Sequence, residues 1–255
     1  MYNTLIINLN SIFKENIMTQ DPENLEYFIK ELFWDKNVCL IGPATNLVST
    51  NEGQLIDNYD LVCRVNSSYI IADDLIKDYG CRTDVLFSTC NHTVSEAVKN
   101  NMKYLQNCKI IINPTDKNHH GKKACDIINK ATKGKIPFYQ VDDKFVEKNK
   151  GLNTGISTIL FILTLNVKNL FIAGFDFYTK SNQLEQNYMF DHEKEYKNNP
   201  VNLPTVKGKK PLKGNIKSSY WVNYQDTIMK FFERNFIQHP KITFHKNLSS
   251  IFSGV

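Results

Sequence analysis

Short, unbroken apolar runs that stop at glycine or proline constrain this chain more than any other feature. Val38-Cys39-Leu40-Ile41 ends at Gly42-Pro43, Lys109-Ile110-Ile111-Ile112 at Asn113-Pro114, and Leu170-Phe171-Ile172-Ala173 at Gly174. A strand with one wet face alternates apolar and polar residues. An unbroken run belongs to a strand covered on both faces, as in a parallel sheet. Asp60 to Val65, Asp84 to Ser88 and Phe138 to Val141 read as further strands. Asp73 to Tyr79, Val94 to Leu105, Ala124 to Thr132 and Gly155 to Leu165 read as helices between them. This alternation predicts an α/β fold, a mostly parallel sheet flanked by helices. Ligands in such folds sit beyond the carboxyl ends of the strands. The residues to watch therefore follow Ile41, Val65, Phe87 and Ala173.

The flanks read differently. Residues 1–35 are expected to form a helical extension, with Asp21-Pro22-Glu23 as a helix start and Leu25, Phe28, Ile29 and Leu32 on one face. Residues 36–255 then form a single domain. Within it, 179–219 carries Lys207, Lys209, Lys210, Lys213 and Lys217, three prolines and two glycines. That composition suits a flexible lid over the site or a passive insertion. Trp221 to Phe236 reads as an amphipathic helix and Lys241 to His245 as an edge strand.

With 255 residues, 42% of them hydrophobic and 22% charged, the chain can bury a core without staples. No apolar run reaches the roughly 20 residues of a membrane span. The start has an apolar run from Leu5 to Leu9 but lacks a basic leader and a small-residue cleavage site. It reads as cytoplasmic. The six cysteines show no metal-ligand spacing, and Cys39 and Cys63 fall inside strands as small buried hydrophobes. Thirty-one basic residues against 26 acidic ones leave a net charge of +5. The excess is spread along the chain, which argues against nucleic acid and suits a small anionic ligand.

Five segments carry chemistry. Gly42-Pro43-Ala44-Thr45-Asn46 follows the first strand, where a glycine turn lets backbone and short polar side chains approach a phosphate or ribose. Gly53, Ile56-Asp57, Tyr59-Asp60, Val62, Arg64 and Asn66 follow in regular order, and Arg64 and Asn66 stand near a strand end. Asn66 offers donor and acceptor to a nucleobase edge or ribose, or forms a turn. Gly80-Cys81-Arg82-Thr83-Asp84 ends a helix, and Arg82 and Asp84 are expected to pair. Asn153-Thr154-Gly155 opens the apolar helix, either as a cap or as an anion site. Gly174-Phe175-Asp176-Phe177-Tyr178 closes the series.

In this order the segments resemble the sialylmotifs of CMP-sialic-acid-dependent sialyltransferases. The large motif resembles Val38 to Gly42, then Gly53, Ile56-Asp57, Asp60-x-Val62-x-Arg64-x-Asn66 and Gly80-x-Arg82-Thr83-Asp84. The small motif resembles Asn153-Thr154-Gly155, the apolar helix and Gly174 to Tyr178. The last stretch is also similar to the bacterial, Campylobacter-type sialyltransferases. The resemblance covers residues 38–90 and 151–178. It implies a Rossmann-like sheet of the sialyltransferase GT-A variant and an inverting transfer of a sugar acid from CMP to a hydroxyl, without metal or other cofactor. The implied partners are a CMP-sugar donor and a glycan or glycoconjugate acceptor, with no nucleic acid; homo-oligomerisation stays open. Gly42, Thr45, Asn46, Asn66, Asn153, Thr154, Gly155, Asp176, Tyr178 and Tyr188 are the implied donor and CMP residues. Tyr178 and Tyr188 would serve the leaving phosphate by the logic of preorganised donors.

Two positions depart from the pattern. The family carries Asn directly after the first glycine, where this chain has Pro43, without N–H or polar side chain. Asn46 stands three residues later. The family's basic His opens the helix after the lid, where this chain reads Ser218-Ser219-Tyr220-Trp221. His192 lies between the small motif and that helix, so it takes the catalytic place, as base or as phosphate ligand. Two other readings stand beside the transferase: a catalytically weak CMP-binding module of the same fold, and a Mg²⁺-dependent pyrophosphokinase-like enzyme.

Overall fold

The computed structural model describes residues 21–89, 97–115, 121–149, 152–175, 231–232, 234–246 and 248. Seven strands form one sheet: β1 Asn37–Ile41, β2 Leu61–Val65, β3 Val85–Phe87, β4 Ile110–Asn113, β5 Phe138–Gln140, β6 Asn169–Ala173 and β7 Ile242–Phe244. Their order is β5-β4-β3-β2-β1-β6-β7, and every neighbouring pair is parallel. The chain winds outward from β1 through β5, then returns to β1's other side with β6. The order reverses between β1 and β6, the place where parallel sheets open a crevice at their carboxyl ends. The last strand, expected at an edge, joins in parallel.

The helices are α1 Pro22–Phe33, α2 Gly53–Asp57, α3 Ile76–Tyr79, α4 Gly121–Thr132, α5 Asp143–Lys148 and α6 Thr154–Leu163. Among the described residues no helix is long and apolar enough to cross a membrane. Asp21 caps α1, its side chain accepting from the Glu23 N–H, with Pro22 in the first turn. Leu25, Ile29 and Phe33 of α1 enter the same core as Leu40, Cys63, Val85, Ile112 and Leu170, so this helix packs on the sheet. Cys39 and Cys63 are fully buried. Helix α6 is apolar all round and packs into that core through Ile156, Ile159, Phe161 and Ile162. The opposite face of the sheet holds Cys39, Ile41, Val62 and Ala173, covered by Leu47, Ile56 and Tyr79. The lid expected at 179–219 and most of the helix expected at 221–236 lie outside the described residues.

Candidate functional site

Register sets the level of the crevice. Ile41 pairs with Arg64 on one side and Ala173 on the other. One residue further, Gly42 and Gly174 face each other: the Gly42 N–H donates to Ala173 O at 2.9 Å and the Ala44 N–H to Gly174 O at 2.8 Å. Both bonds run toward β6, and Pro43 lies in a bend beyond the end of β1. Proline therefore breaks no ladder bond here.

The two glycines exist for close approach. A Cβ on Gly42 would collide with the Gly174 carbonyl oxygen and lie 2.7 Å from Phe175 Cγ; one on Gly155 would lie 2.8 Å from Phe175 Cε1. The Phe175 ring thus takes the room that both glycines leave. The lack of a side chain at Gly42 lets the β1 end, the β6 end and the α6 start come together. Asn46 adds a tie: its Nδ2 donates to Phe175 O at 2.5 Å. That donor does not stand free to replace the missing Asn at position 43.

Asn66 follows β2 with φ 51°, a left-handed conformation that asparagine tolerates. Its Oδ1 accepts from the Thr89 N–H at 3.2 Å, joining the ends of β2 and β3. Its Nδ2 makes no hydrogen bond among the described residues, and the residue is half-buried. Ser68, which the sequence reading passed over, accepts from the Val65 N–H at 2.8 Å and donates to Ile41 O at 3.0 Å. It seals the β1–β2 end that carries Asn66. At α6, Asn153 is a cap: its Oδ1 accepts from the Ile156 N–H at 2.9 Å. Thr154 is buried and Thr45 half-buried. The structure therefore brings Gly42, Thr45, Asn46, Asn66, Asn153, Thr154 and Gly155 to one edge of the sheet, around the switch point. Asp176, Tyr178, Tyr188 and His192 lie outside the described residues.

Arg64 is not at this edge. It is fully buried, and its guanidinium donates to three carbonyls: Nε to Arg82 O at 2.8 Å, Nη1 to Ser68 O at 3.3 Å and Nη2 to Tyr79 O at 2.7 Å. Burial pushes its pKa down to about 10. The expected pairing of Arg82 with Asp84 is present at 2.7 Å. Asp84 also accepts from the Val62 N–H at 2.8 Å. Asp57 caps the next turn, taking the N–H groups of Cys81 at 2.8 Å and Arg82 at 3.0 Å. These motif residues hold α2, α3 and β2 together.

His245 was also passed over. Its Nε2 lies 3.0 Å from Glu52 Oε2, and its ring stands edge-on to Phe171 at 6.3 Å. It follows β7 at the carboxyl edge, the position that strand-end reasoning singles out. It is only 3% exposed, so it cannot reach an acceptor hydroxyl.

No family model and no curated protein sequence matches the chain. Solved structures are similar to it, two of them mammalian sialyltransferases. The crystal structure of a mammalian sialyltransferase is 16% identical with a TM-score of 0.47, covering 89% of this chain and 80% of that one. A mammalian sialyltransferase in complex with Gal-beta-1-3GalNAc-ortho-nitrophenol is 16% identical with a TM-score of 0.44, covering 85% of this chain and 71% of that one.

Proposed function

We propose that this chain is a glycosyltransferase that moves sialic acid or a related sugar acid from a CMP-activated donor to an acceptor glycan hydroxyl, with inversion and without metal. One observation carries the reading. Three pieces of the segments that resemble the sialylmotifs, the Gly42–Asn46 turn, Asn66 and the Asn153–Gly155 helix start, lie far apart in the chain and meet at the carboxyl edge of the sheet where the strand order reverses. Asn66 offers there an amide nitrogen with no hydrogen bond among the described residues, at the same edge as Thr45 and the start of α6. In this reading Asn66 contacts the CMP moiety, Thr154 and Gly155 the donor, and Asp176 the sugar. Tyr178 and Tyr188 donate to the leaving phosphate, which lowers the barrier by stabilising charge as it develops. His192 takes the acceptor proton or steadies the phosphate.

The test is calorimetric titration with CMP, with UMP and GDP as controls and no added metal. Selective CMP binding supports the reading, and release or transfer of a sugar acid from a CMP donor completes it. Absence of CMP binding refutes it. His192→Ala should abolish turnover and leave the fold intact; unchanged turnover removes His192 from the mechanism. The commitment of Asn46 to Phe175 favours a second reading, a nucleotide-binding module of low activity. CMP binding without turnover of any CMP-sugar would select it.

A further inference from the structure

The loop between β1 and α2 carries Thr45 and Asn46, yet its shape is dictated from α3, some thirty residues away. Tyr79 Oη accepts from the Leu47 N–H at 3.3 Å and donates to Ala44 O at 2.7 Å. Those two residues flank Thr45 and Asn46, so one hydroxyl grips the turn at both ends. Next to it, the Asp78 carboxylate gathers the rest of the loop. Its Oδ2 accepts from the Ser49 N–H at 2.9 Å and its Oδ1 from the Asn51 N–H at 2.8 Å. Ser49 and Asn51 have φ of 66° and 57°, left-handed values that asparagine tolerates but serine adopts uncommonly. Both side chains doing the gripping are buried, Asp78 to 1% and Tyr79 to 0% exposure. The Tyr79 carbonyl is in turn held by Arg64 at 2.7 Å.

We propose that Asp78 and Tyr79 are positioning residues for the nucleotide donor, preforming the 44–51 loop so that Thr45 meets the ligand without reordering. This rests on the CMP-donor reading above. A preformed loop spares the ligand the entropy of ordering it, so loosening the loop weakens binding even in a fully folded protein. Thr45 touches the ligand; Asp78 and Tyr79 act through the loop that holds it.

The experiment compares wild type, Tyr79→Phe, Asp78→Asn and the core variant Ile128→Val. Ile128 is buried in a separate cluster with Leu86, Ile111 and Phe138. Each protein is titrated with CMP at a temperature where denaturation curves show it fully folded, and amide exchange is followed at Ser49 and Asn51. CMP affinity should fall about tenfold or more in both loop variants, while Ile128→Val binds within about twofold of wild type despite its lower stability. The Ser49 and Asn51 amides should exchange faster in Asp78→Asn alone. Tyr79→Phe removes a single oxygen, so it carries the test if Asp78→Asn does not fold. Wild-type affinity in Tyr79→Phe, or an equal loss in Ile128→Val, overturns the positioning role with the donor reading intact. Absence of CMP binding by wild type overturns the donor reading and the role together. Unchanged exchange at Ser49 and Asn51 overturns the templating of the loop whatever CMP does.

Discussion

Replacing Gly53 by alanine tests whether the close approach of α2 and α3 is a structural requirement. A Cβ at Gly53 would lie 2.7 Å from the Gly80 nitrogen and 2.8 Å from the Lys77 carbonyl carbon, and nearer still to the Ile76 carbonyl oxygen. Ordinary contact distances are about 3.5–4.0 Å, so α3 has to move by about 1 Å. All three obstructing atoms are backbone, and no rotamer change relieves them. Overpacking of this kind costs about 1–3 kcal/mol, and the rigid neighbours place Gly53→Ala near the top of that range. Alanine returns about 0.4–1 kcal/mol by restricting the unfolded chain. The net loss is about 2 kcal/mol, a fall in Tm of about 4–8 °C for a chain of this size. Gly134→Ala is the comparison. Gly134 has φ 69° and nothing within 4 Å of its Cβ position, so only backbone strain of about 1–2 kcal/mol opposes the same entropic return. Urea denaturation of both variants gives the answer. Equal midpoints, or a larger loss in Gly134→Ala, would show that backbone conformation, and not the α2–α3 contact, sets the requirement for glycine.

Three further outcomes follow from the buried polar groups. Arg64→Lys should cost about 2–4 kcal/mol in urea denaturation, because a compact ammonium cannot reach the carbonyls of Arg82, Ser68 and Tyr79 together; an unchanged midpoint would mean that water takes over those carbonyls. Brief alkylation at neutral pH, read by mass spectrometry, should label Cys81 alone among Cys39, Cys63, Cys81 and Cys108, since it is the exposed one. Its labelling should be slow, because burial and the neighbouring Asp57 raise its pKa; native-state labelling of Cys63 would contradict the packing. Burial opposes ionisation of Asp78, but the N–H groups of Asn51 and Ser49, the Lys77 charge and the Thr50 N–H outweigh it and hold its pKa below the ordinary 3.8. A depressed carboxylate contributes stability that is complete above 3.8 and lost as pH falls below it. The gap between the urea midpoints of wild type and Asp78→Asn should therefore be constant near neutrality and narrow below about pH 4.

The strands were legible because parallel strands covered on both faces leave no room for polar alternation, and Val38 to Ile41 or Leu170 to Ala173 can be little else. The short helices were not. Gly53–Asp57 and Asp143–Lys148 are too brief for a period of 3.6 residues to show, and only tertiary context makes them helices. Gly53–Asp57 depends on its seat against α3. Asp143–Lys148 left one local mark, Asp142, whose side chain accepts from the Phe145 N–H at 3.0 Å. The Arg82–Asp84 pair was readable because two residues on one side of an extended segment meet by construction. The grip of Tyr79 on Ala44 and Leu47 was not, since nothing in the local pattern says that a tyrosine at a helix end reaches back across the sheet edge.

The same distinction bears on what the motif resemblance can testify to. Gly53, Asp57, Arg64, Gly80, Arg82 and Asp84 are six residues of the large motif, and the contacts described for them are internal. They would be needed to hold α2, α3 and β2 together whatever bound at the carboxyl edge, so their presence speaks for the fold. Ligand choice has to come from residues that the scaffold presents and does not use. Among those described, Asn66 qualifies through its unengaged Nδ2, whereas Asn153 spends its oxygen on a cap and Asn46 its amide on Phe175. Pro43, the residue that departs from the motif pattern, follows β1 on this presenting edge and makes no ladder bond. The scaffold's agreement with the motif pattern and the edge's departure from it are therefore compatible. Only binding measured at the edge separates a transferase from a nucleotide-binding relative of the same architecture.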